Sequence, residues 1–139
     1  MRALRLICAL YALLLALVVA VNYVITPLYD DGSTGYPVWS ILNWFMAAGA
    51  GLALVAGTVW KVRYSNTEDV KEYFRASGLF YASVVLFLWF FSNWFADMMS
   101  REVPLLWELC DPLFVVVLGA TGLRLLSESC NQADASDRV

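Results

Sequence analysis

Asn22, Asn43, Asn93, Asp97 and Asp111 stand inside or at the margin of long apolar runs of this 139-residue chain. These positions are where the sequence could do chemistry. An amide surrounded by lipid must find a partner on another helix, and such a bond contributes on average only about 0.6 kcal/mol. An ionisable side chain costs more, about 2.5 to 3.5 kcal/mol at a span centre even on lenient scales, and so marks a functional candidate. Asp111 is the sharpest of these. Asp97 is four residues before Arg101, the spacing of a helical ion pair of small value. The tripeptide Asn-Trp-Phe occurs twice, as Asn43-Trp44-Phe45 and Asn93-Trp94-Phe95.

Each chemical reading makes a different demand on the residues. A proton or small-ligand site would use Asp111 as the titrating group, with the amides orienting it. A copper site would draw on Met46, Met98, Met99, Cys110, Asp97 and Asp111, yet the chain has no His and no paired Cys or Met-x-x-Met spacing. A recognition surface for another membrane subunit needs only the level and the aromatic neighbours. Without His the commonest general base and haem ligand are missing. No G-x-S-x-G and no Cys with a His partner is present, so neither catalysis nor a cofactor or metal is expected.

The elements that must position these groups follow from composition. The chain is 61% hydrophobic and 15% charged, with a mean hydropathy of +0.67. Such apolar content places it among integral membrane proteins. Segments at about 4–26, 38–60, 76–99 and 105–126 each approach the roughly 20 apolar residues that cross a hydrocarbon core. The fold class expected is all-α, four transmembrane helices in an antiparallel bundle. Residues 1–126 form that single domain, and 127–139 a polar, disordered tail.

Charge sets the expected orientation, because Lys and Arg are retained on the cytoplasmic side. Arg2 and Arg5 precede the first span; Lys61, Arg63, Lys71 and Arg75 fill the loop between the second and third; Arg124 and Arg138 belong to the C-terminal end. Only Arg101 falls opposite. Both termini are therefore expected in the cytoplasm and the chain in a cytoplasmic (inner) membrane. A cleavable signal ending near Ala20 is the competing reading of the first segment, but the apolar run continues to Ile25, long enough to span. The net charge of -3 and the scattered bases give no patch for nucleic acid.

At 1.5 Å per residue Asn43 and Asn93 both lie roughly 9 Å below the outer boundary. The two copies are level. Asn22 and Asp111 are expected near the same depth. Within the second span Ala47 and Gly51, Gly49 and Ala53, and Ala53 and Gly57 stand four apart, a spacing of small residues that lets helices approach closely. That span is expected to be the central helix, with Asn43, Ala47 and Gly51 sharing its contact face. Ser65 with Glu68 and Asn66 with Asp69 resemble capping boxes, predicting a third helix from about Asn66 or Thr67 to Ser100. Arg124 is expected to snorkel to the interface. The partners implied are the lipid bilayer and either other membrane subunits or further copies of the chain.

Overall fold

A computed structural model of the chain describes residues 2–29, 37–99, 101 and 104–136, with side chains at 37, 104, 105 and 132–136 outside the description. Four α-helices follow one another: α1 (Arg2–Tyr29), α2 (Pro37–Arg63), α3 (Val70–Met98) and α4 (Pro104–Ser136). Each is long and apolar enough to cross a membrane. This is the number and order of spans that hydropathy predicts. The loop residues Asp30 to Tyr36 lie outside the described residues, as do Ser100, Glu102 and Val103.

The boundaries differ from those read off the sequence, and each difference has a local cause. Helix α3 starts at Val70, because Asp69 is its N-cap and accepts from the Lys71 and Glu72 backbone amides. Ser65 and Asn66 do not cap it; Ser65 donates its hydroxyl to the Val62 carbonyl. Nor does α4 stop at Leu126. It continues to Ser136, so residues 127–136, expected as a disordered tail, are helical. The extension is anchored where Ser129 is buried and Glu128 accepts a hydrogen bond from the Trp60 indole.

The helices associate as two extensive pairs, α1 with α4 and α2 with α3. Both α2 and α4 touch all the other helices, whereas α1 and α3 do not meet among the described residues. The most buried span is α4, with 44% of its apolar window inside against 33% for α2. The expectation of a central α2 is corrected accordingly. The core is built from Val19, Met46, Leu86, Phe90, Phe114 and Leu118, all fully buried.

Close approach falls at two of the three glycines expected of α2, Gly49 and Gly57, and not at Gly51. A Cβ at Gly57 would lie 2.7 Å from Ser83 Oγ and 3.1 Å from the Phe80 Cα, so α3 backbone occupies that space. One at Gly49 would meet Leu15 Cδ2 at 2.9 Å, Phe114 Cζ at 3.1 Å and Leu118 Cδ2 at 3.2 Å. Around Gly51 there is nothing within 4 Å, and Ala47 is only partly buried. The reason is angular. Successive steps of four advance 40° around a helix of 3.6 residues per turn, so the row 43, 47, 51 drifts off the buried face. The face actually buried runs through Asn43, Met46, Ala50, Ala53, Gly57 and Trp60 by alternating steps of three and four.

Three buried hydroxyls inside the spans are satisfied within their own helices. Ser83, Thr121 and Ser129 each donate to the carbonyl four residues earlier. Lipid offers no such partner, which is why hydroxyls in spans turn back on the backbone.

Candidate functional site: a polar layer and a charged end

Asn22, Asn43, Asn93 and Asp111 are all buried, at 8%, 5%, 4% and 5% exposure. Cross-helix contacts bring them to one level. Tyr23 donates to the Glu108 carbonyl at 3.4 Å, which puts Asn22 of α1 beside the Asp111 turn of α4. Phe90 meets Trp107 and Phe114 with ring centroids 5.9 and 6.3 Å apart, so Asn93, one turn on, stands level with the same stretch of α4. Trp44 meets Trp94 edge to face at 4.8 Å, which sets Asn43 level with Asn93. Asp97, one turn beyond Asn93 on α3, is only partly buried.

The layer is not a hydrogen-bonded network. Among the described residues no hydrogen bond joins Asn43 to Asn93. Each shares its helical face with a core residue, Asn43 with Met46 and Asn93 with Phe90, and the direct contact between the tripeptides belongs to their indoles. Asn93 Nδ2, Asn22 Nδ2 and Asp111 Oδ1 are buried with no partner among the described residues. Two orphan donors and one orphan acceptor thus sit at one depth, an arrangement a bound polar species would satisfy. Asn22 is otherwise held: its Oδ1 accepts from Tyr29 at 2.8 Å, while Thr26 donates to its carbonyl and accepts from Trp39 Nε1 at 3.2 Å.

No ion pair forms between Asp97 and Arg101 among the described residues. Helix α3 ends at Met98, and the Arg101 amide turns back to the Ala96 carbonyl at 2.8 Å. Position 101 therefore lacks the helical geometry that i, i+4 pairing needs.

At the opposite end, sequence reasoning missed a second polar cluster. Glu72 Oε2 accepts from Arg124 Nη2 at 2.9 Å and its Oε1 from Arg75 Nη1 at 3.1 Å. The Arg124 guanidinium lies 4.9 Å from the Trp60 ring centroid and 5.1 Å from that of Tyr64. Trp60 Nε1 donates to Glu128 Oε1 at 2.7 Å. Arg124 is thus packed into the bundle end and does not simply snorkel outward. Lys61 donates to Ser77 at 2.9 Å and lies over the Tyr73 and Tyr81 rings. The only signal in the sequence was a Trp, two Arg and two Glu at one depth, from helices far apart along the chain.

Comparison with protein-family models, with curated proteins and with solved structures found no match.

Proposed function

We propose that the chain is a non-enzymatic, multi-pass protein of a bacterial-type cytoplasmic membrane that serves as an accessory or assembly subunit of a larger membrane complex. Its spans run antiparallel, with both termini in the cytoplasm. Pairing of Tyr23 with Glu108 and of Leu13 with Gly122 supports opposite directions for α1 and α4. Pairing of Trp44 with Trp94 and of Lys61 with Ser77 does the same for α2 and α3.

One observation carries the accessory reading. Trp44 is 66% exposed although the buried Trp94 holds it edge-on, and Ile41, Phe45 and Phe95 are exposed around it. A large ring fixed in place and left uncovered is what a protein contact uses as an anchor. Co-purification of the full chain in mild detergent tests this. A stoichiometric membrane partner should be lost from Trp44→Ala and kept by Val116→Ala, a change at an equally exposed position on α4. Retention of the partner by both variants would overturn the assignment.

The unpartnered Asp111 Oδ1 favours a second reading, a small proton-linked transporter or ligand-binding module centred on the polar layer. Asn at position 111 keeps the shape and hydrogen-bonding capacity but cannot titrate. Under this reading Asp111→Asn folds normally and fails to complement a deletion strain. Full complementation would remove it.

A further inference from the structure

The charged end contains a cavity of about 650 Å³ between α3 and α4. We infer that this cavity holds the headgroup of one membrane phospholipid of the ethanolamine type, with its phosphodiester at Arg75 and Arg124 and its primary ammonium at Glu128. The inference is independent of the accessory-subunit reading.

The lining changes character along its length. Leu79, Ala120 and Leu123 form the part toward the middle of the spans, while Arg75, Arg124, Glu72 and Glu128 form the part toward the helix ends. An apolar floor leading to a charged mouth matches a lipid, whose acyl chain must stay in hydrocarbon while its phosphate reaches the interface. Trp60, Tyr64 and Tyr73 beside Lys61 and Arg63 mark that level as an interfacial belt.

Hydrogen-bond capacity points to a phosphate. A guanidinium has five N–H donors. Among the described residues Arg75 and Arg124 each spend one hydrogen bond, both on Glu72. Glu72 takes one guanidinium on each oxygen, and most N–H donors of Arg75 and Arg124 stay open to the oxygens of a bound group. Ser127 and Asn131 add donors to the same wall. Basic pockets between spans are where phospholipid headgroups bind.

Charge selects among headgroups. Two guanidinium groups and two carboxylates line the cavity, a balanced set that suits a zwitterion better than a net anion. Glu128 accepts from Trp60 through Oε1, which leaves Oε2 for an ammonium N–H. A choline headgroup has no N–H to give it.

The test is native mass spectrometry of the purified full chain with equimolar phosphatidylethanolamine, phosphatidylglycerol and phosphatidylcholine. Ethanolamine lipid should be retained in preference to the other two. Arg75→Gln changes an exposed residue and should lower phospholipid adducts about fivefold, the effect of one interfacial cation, while Lys71→Gln, outside the cavity, should leave them unchanged. Glu128→Gln keeps the acceptor for Trp60 and should abolish the preference for ethanolamine over glycerol. Equal retention of the three lipids, or equal adducts in Arg75→Gln and Lys71→Gln, would overturn the inference. Displacement of lipid by millimolar phosphoethanolamine would assign the site to a soluble phosphate and would overturn it as well.

Discussion

At the scale of the residue, the repeated Asn-Trp-Phe uses its indoles as the joint and its amides as interior polarity. Trp44 and Trp94 form an edge-to-face pair, and such pairs contribute about 0.5 to 1.5 kcal/mol beyond area burial. A double-mutant cycle with Trp44→Leu and Trp94→Leu should therefore return a coupling of about that size. The same cycle on Asn43→Leu and Asn93→Leu should return none, because no hydrogen bond joins the two amides among the described residues. Asn93→Leu should also raise stability, since an unpartnered buried donor costs about 1 to 3 kcal/mol. Urea or thermal unfolding in detergent measures all of these. Glycines give a parallel contrast: Gly57→Leu would strike the α3 backbone and should destabilise by at least about 1 to 3 kcal/mol, whereas Gly51→Leu enters open space and should change little. That Asn43 and Asn93 stand level was legible, because relative height follows from counting along the spans. Their partners were not, because azimuth around the bundle depends on how all four helices rotate.

At the scale of the element, helix identity was readable from hydropathy and helix ends were not. Asp69 rather than Ser65 caps α3, since the Tyr64–Asn66 turn that follows α2 carries the chain past the earlier candidates before the helix begins. Asp69→Ala removes the acceptor for the Lys71 and Glu72 amides and should cost about 0.5 to 2 kcal/mol, read as a lower melting temperature. The overrun of α4 past Leu126 has a different origin. Its polar, small-residue sequence reads as tail when taken alone, but Glu128 gains the Trp60 indole and Ser129 is buried against the bundle. Tertiary contacts from α2 decide a stretch whose own composition does not. Trp60→Phe, which keeps the ring and removes the donor, should expose the backbone after Leu126 to faster hydrogen exchange while leaving that of α1 unchanged.

At the scale of the whole molecule, the chain is four membrane-length helices with a polar level near one end and a charged cluster at the other. The topology we propose from Lys and Arg placement turns the charged end toward the cytoplasm. A single cysteine placed at Ser33 in a chain otherwise free of cysteine should then react with an impermeant maleimide added outside, and one at Asn66 should not; the reverse pattern would turn the topology over. Function was the least legible property, because the accessory role we propose would need only a shaped surface, which no short motif displays in a sequence. The most direct test is a photo-reactive residue at Trp44, compared with one at Val116, in native membranes. The Trp44 probe should cross-link to one defined polypeptide other than this chain, while the Val116 probe should reach lipid. Cross-linking at Trp44 only to lipid, or only to a second copy of this chain, would contradict it.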